Sequence, residues 1–245
     1  MYPQTHVYFA ERVLGKKSDV ITLGSIMPDM IIGSDIGHYE AHCKGLEINN
    51  LLSIDPSLKD LDRAVSTHGF KPKGLDYYGD EKYKDYERGY CFEKARVITE
   101  RTVEACNIPS EMGWWKAHNI IEMGVETIIS ARDHYFVRLK SAMENEALIA
   151  NIDHMLRQLC GKRSIDFVSR VQRFSGFIEK ERASAVSLAN KFHRQMWMRH
   201  NVEIDSEKVA DLISDAADLV LVDLDDFFDV TAVLVRENLE TLKNK

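Results

Sequence analysis

Apolar residues recur at helical spacing along most of the chain, and no stretch alternates with the two-residue period of a half-buried strand. The stripes predict helices at about 5–14, 18–26, 56–68, 81–106, 111–131, 134–160, 164–181, 183–200, 205–221 and 223–243. Start and stop chemistry supports several of these bounds. Asp55-Pro56 offers an N-cap acceptor followed by a residue whose φ is already helical, and Ser110-Glu111 does a similar job after Pro109. Gly15, Gly69 and Gly161 stand where helices should stop, because glycine takes the left-handed C′ conformation at little cost. All five prolines and nine of the thirteen glycines lie in the first 109 residues, so the first part is loop-rich and the rest nearly continuous helix. The chain reads as all-α: a multi-helix bundle forming a single domain over 1–245.

Several polar residues interrupt the apolar faces. Trp114, His118, Ile121, Glu122, Val125 and Ile129 share one stripe, so an imidazole and a carboxylate one turn apart lie on the face that Trp, Ile and Val should bury. An H-x-x-x-E pair points both ligand atoms the same way, as a shared metal requires. A hydrogen bond that merely satisfies a core histidine explains the pair equally well. Glu126, at the edge of the stripe, is expected to be solvated. His6 shares a face with Phe9, Ala10, Val13 and Leu14 in the first turn of its helix, where the dipole disfavours protonation and leaves a ring nitrogen free to ligate. His68 closes the stripe Leu58-Leu61-Val65-His68, a last-turn position that the dipole favours with or without a metal. Between these, Pro28 is expected to end a helix and put Asp29 in the loop beyond it. His38 and His42 follow, and would face one way if that stretch is helical.

Composition narrows the chemistry. The 245 residues carry 32 Lys+Arg against 39 Asp+Glu, a net charge of −7, with 44% hydrophobic residues. That excludes disorder and gives no basic surface for the phosphate backbone, so no stable nucleic-acid complex is expected. The four cysteines include no C-x-x-C pair, which argues against a zinc ribbon or a disulfide framework and leaves histidine and carboxylate as metal ligands. Glu11, Arg12, Lys16 and Lys17 interrupt any leader-like apolar start, and no run reaches the roughly 20 apolar residues of a membrane span. No transmembrane segment and a cytoplasmic location are the expectations; the oligomeric state stays open.

Taken in order, Thr5-His6-x-x-x-Ala10, Gly24-Ser25-x-x-Pro28-Asp29, a histidine at 38 or 42, His68 and His118-x-x-x-Glu122 resemble the zinc-dependent phospholipase C family, whose all-helical fold is shared with P1-type nucleases. The resemblance covers a metal-site region of about 1–130; the helical C-terminal part, about 131–245, lies outside it. It implies that His6 serves one metal, Asp29 with His42 (or His38) and His68 a second, and His118 with Glu122 a third. Three features of the chain favour one or two zinc ions over three, or another divalent metal; one is that a further histidine the family places soon after its bridging aspartate is missing, with His134 or His154 on a later helix as a substitute. The chain opens Met1-Tyr2-Pro3 where secreted members begin with a ligating tryptophan. Position 72 is Pro where the family has a bridging aspartate, with Asp76 in the following loop as a substitute. The implied activity is metal-dependent hydrolysis of a phosphate ester, phospholipase C-like or phosphodiesterase-like, on a small phosphate ester or phospholipid, with Asp29 accepting a proton. Two alternatives stand beside it. One is a non-catalytic helical binding protein with a degenerate metal site, which the missing aspartate favours. The other is a different helical phosphohydrolase, though the adjacent His-Asp doublet of the HD type occurs here only reversed, as Asp133-His134 and Asp153-His154.

Overall fold

A computed structural model describes residues 1–33, 36–43, 58–160, 166–179 and 181–243. The expected helix start at Asp55-Pro56 and the stop at Gly161 lie outside the described residues. Among those described, the protein is all-α, with no strand. Its helices are α1 (Pro3–Leu14), α2 (Asp19–Met30), α3 (His38–Ala41), α4 (Lys59–Val65), α5 (Tyr90–Ala95), α6 (Thr99–Cys106), α7 (Ser110–Arg132), α8 (Tyr135–Glu144), α9 (Glu146–Cys160), α10 (Phe167–Ser175), α11 (Ala185–His200), α12 (Ser206–Leu221) and α13 (Leu224–Lys243). Side-chain caps explain several starts: Ser18, Asp166 and Asp205 accept from first-turn backbone N–H groups, and Ser184 forms a reciprocal box with Ser187.

The structure departs from the predicted helices in three informative places. The stretch 81–106 is broken: a π turn at Tyr77–Glu81 leads into turns, then α5, a 3-10 turn at Arg96–Ile98, and α6. Lys84 sits at φ 47°, a left-handed conformation that a right-handed helix cannot include. The stretch 134–160 breaks at Asn145, whose side-chain oxygen accepts from Leu148 N at 3.1 Å and restarts the helix as α9. Finally, α2 does not stop at Pro28 but runs to Met30, so Asp29 lies in its last turn and not in a loop. Close to a helix end proline forfeits one backbone bond, and Ile31 N still reaches Met27 O at 3.1 Å to close the turn.

The chain divides into two compact units, each assembled from distant stretches. One comprises Met1–Thr5, Tyr78–His134 and Glu181–Asp229; the other His6–Tyr77, Tyr135–Lys180 and Val230–Lys245. In the first, α7 buries Ile120, Ile121, Met123, Val125 and Ile129 completely and packs against α5, α6 and α12. In the second, α2 is the central element, packed by α4, α8 and α10. Gly24 permits the α2–α4 approach, since a Cβ there would lie 2.7 Å from Leu61 O. No helix of the described residues is long and apolar enough to cross a membrane.

Candidate metal centre

In the second unit, three helices and one loop bring imidazoles and carboxylates to a point. Asp29 comes from the last turn of α2, His42 from the residue ending α3, and His68 from the tight turns that follow α4. Asp76 arrives because the intervening loop closes on itself: Gly74 N donates to Gly69 O at 2.8 Å, Leu75 N to Thr67 O at 2.8 Å and Asp76 N to His68 O at 2.8 Å. The loop thus delivers the Asp76 carboxylate eight residues after His68.

The spacing of the ligand atoms is that of a coordination shell. His42 Nε2 and His68 Nε2 are 3.2 Å apart. Asp76 Oδ2 lies 3.2 Å from the first and 3.1 Å from the second. Asp29 Oδ1 lies 3.6 and 3.9 Å from them. Ligand atoms about 2.0–2.1 Å from a tetrahedral zinc ion are separated by roughly 3.3 Å. Tautomers agree with this assignment. His42 Nδ1 is 2.8 Å from His38 O, and His68 Nδ1 is 2.5 Å from Ser25 O. A carbonyl oxygen only accepts, so both Nδ1 atoms carry protons and each neutral ring presents a lone pair at Nε2, the orientation that second-shell carbonyls impose on metal-binding histidines.

Two nitrogen lone pairs and two carboxylate oxygens at this distance repel one another unless positive charge sits among them. A proton on one ring relieves part of the repulsion, and His42 is the ring whose pKa is raised: burial opposes its charge, but the Asp76 hydrogen bond and the Asp76 and Asp29 charges outweigh burial. Burial likewise works against the Asp29 carboxylate, yet the imidazoles of His68 and His42 hold it below the usual range. Asp29 keeps 24% of its side chain exposed while His42, His68 and Asp76 are buried, so it forms the solvent edge of the set.

His6 sits beside this shell. Its Nε2 is 3.3 Å from Asp76 Oδ1, the second oxygen of that carboxylate, and its ring stacks on His68 with centroids 3.6 Å apart. Burial, with the neighbouring His68, pushes its pKa from 6.5 down to about 4, which leaves a lone pair at neutral pH. His68 is shared by two candidate groups, Asp29–His42–His68 and His6–His68–Asp76.

The chain matches no family model, no curated protein and no solved structure.

The first unit holds a further group, Asp80, His118 and Glu122, whose ligand atoms lie within 4.8 Å of one another. His118 and Glu122 face the same way from α7, as their spacing predicted, and both are buried. His118 Nδ1 donates to Trp115 O, which again turns Nε2 outward as a lone pair. Its ring stacks on Phe92 at 4.1 Å, and burial lowers its pKa. The Met1 ammonium approaches Glu122 Oε1 at 2.9 Å.

Several sequence expectations are revised by these positions. His38 is exposed and outside the convergent set; its contributions are a backbone carbonyl that fixes the His42 tautomer and a ring stacked on His42 at 4.0 Å. Glu126 is not solvated but 2% exposed. It accepts from Gln4 N at 3.0 Å, Thr5 N at 2.9 Å and Thr5 Oγ1 at 2.7 Å, capping the start of α1. His134 and His154 are exposed and join neither group. Asp80, which the sequence gave no periodic reason to select, is the added ligand candidate. Its one signal is its spacing of four from Asp76 across the π turn.

Proposed function

We propose that the protein is a metal-dependent phosphoric-ester hydrolase, zinc being the ion that best suits the ligands, of the phospholipase C-like type that the ordered motifs resemble. The observation that carries this is the four-atom shell of Asp29, His42, His68 and Asp76, with both histidine tautomers fixed by backbone carbonyls. Two nitrogens and two carboxylate oxygens without sulfur suit zinc and other borderline divalent ions.

A zinc ion held there would supply charge for phosphate oxygens and a lowered pKa for water. The residues supply the remainder. His42, His68 and Asp76 are buried and braced by hydrogen bonds, so they hold their positions without reorganising. Asp29, on the solvent edge with its pKa depressed, stays ionised at neutral pH; with Oδ1 turned to the ion, its other oxygen would accept a proton from an attacking water that enters as a fifth ligand. The net charge of −7 is no obstacle, because the phosphate would be met by cations in the site and not by surface lysines.

The test is metal analysis of purified full-length protein followed by hydrolysis of bis-p-nitrophenyl phosphate. Stoichiometric zinc, and zinc-dependent turnover abolished by His68→Ala, support the proposal. Protein that stays folded, metal-free after zinc loading and inert would overturn it in favour of a non-catalytic helical binding protein.

A further inference from the structure

Beside the Asp80–His118–Glu122 group stands an arginine that the metal ligation does not use. The segment after Asp80 returns to it: Gly89 N donates to Asp80 O at 3.1 Å, and Arg88 Nε donates to the same oxygen at 3.2 Å. Only glycine fits at 89, because a Cβ there would lie 2.2 Å from Asp80 N and from Gly79 C. That contact brings Arg88 alongside the backbone of one candidate ligand. On its other flank the guanidinium lies 3.9 Å over the ring of Phe92, which is stacked at 4.1 Å and 10° on the imidazole of His118, a second candidate ligand.

The charge of Arg88 is not spent on neutralising the group's carboxylates. Its bond to Asp80 goes to the main-chain oxygen, and its ion pair, Nη2 to Glu81 Oε1 at 3.3 Å, is with a half-exposed rim residue. Such a pair is worth little in solvent. Among the described residues these bonds engage Nε and Nη2, which leaves Nη1 as a donor for a ligand. A fixed guanidinium at the edge of a site for cations serves an anion that the cations also attract, and its planar fork matches two oxygens of a phosphate group.

We propose that Arg88 is a phosphate-recognition residue of the Asp80–His118–Glu122 centre, gripping the phosphoryl oxygens of substrate ester or of released phosphate. This rests on the hydrolase proposal. The test titrates zinc-loaded, full-length protein with inorganic phosphate by calorimetry, alongside the zinc content of each variant. Arg88→Gln, whose amide keeps a donor for Asp80 O, is expected to retain zinc and lose tenfold or more in phosphate affinity, with Arg88→Lys in between. A second measurement needs no variant: phosphate should protect Arg88 of the wild-type protein from phenylglyoxal, mapped by peptide mass spectrometry. Unchanged affinity in zinc-loaded Arg88→Gln, or Arg88 reacting equally fast at saturating phosphate, overturns the assignment alone. Wild-type protein that takes up no zinc overturns the hydrolase proposal and this one with it.

Discussion

His42 and His68 present their Nε2 atoms to each other at 3.2 Å while a backbone carbonyl holds the Nδ1 of each. In water two imidazoles so placed would turn apart or share a proton. Here the carbonyls of His38 and Ser25 deny them the rotation, and Asp76 closes the space between them.

The first consequence concerns stoichiometry. His68 belongs to one candidate metal group and His118 to another. Wild-type protein is expected to hold two zinc ions, His68→Ala one, His118→Ala one, and the double variant none. Plasma emission analysis after dialysis against metal-free buffer, with circular dichroism to verify the helices, checks this.

Removing the cap of α1 should be costly. Glu126→Ala leaves Gln4 N, Thr5 N and Thr5 Oγ1 without their buried acceptor, a loss of about 2 kcal/mol. Glu126→Gln, which keeps the shape and one oxygen, should fall between. Urea unfolding at neutral pH gives the ordering.

Asp62 should weaken the protein at neutral pH. It is 4% exposed, and among the described residues its Oδ1 has no hydrogen-bond partner. Burial, despite the charge of Arg63, raises its pKa from 3.8 to about 7. Between those values the unfolded chain is ionised and the folded one still protonated, so stability falls as pH rises through that window. Asp62→Asn should remove this slope and stabilise by roughly 1–3 kcal/mol at pH 8. Denaturation midpoints at pH 5 and pH 8 decide it; a variant that keeps the wild-type slope refutes it.

His6 has the opposite dependence. Its pKa falls from 6.5 to about 4 on burial, so above 6.5 it is neutral in both states and its contribution is complete. As pH drops from 6.5 towards 4 the unfolded chain takes up a proton that the folded one refuses, and stability declines by roughly 3 kcal/mol. Metal-free His6→Gln should show a correspondingly shallower acid decline in thermal melts across that range.

How much of this was legible in the sequence depends on what held each residue in place. His6, His68, His118 and Glu122 were visible because each puts a polar group on a helical face otherwise built to be buried, a conflict that periodicity exposes. Asp76 and Asp80 had no such marker: they lie in and just after a loop whose closure depends on backbone bonds from Gly69 to Asp76, about which side-chain patterning is silent. Glu126 was misjudged for a related reason. Its place at the edge of the α7 stripe suggested solvent, but its partners, Gln4 and Thr5, are more than 120 positions away. Pro28 misled because its cost to a helix depends on how much of that helix is still to come.

One turn of α2 carries both the Asp29 carboxylate and the Ser25 carbonyl that orients His68. A slide of that helix by one residue, about 1.5 Å, would withdraw a ligand and release another ring from its tautomer in the same motion. If the proposed ion is held there, its affinity would report the register of α2. A titration with chelator and a measurement of α2 displacement would trace a single curve.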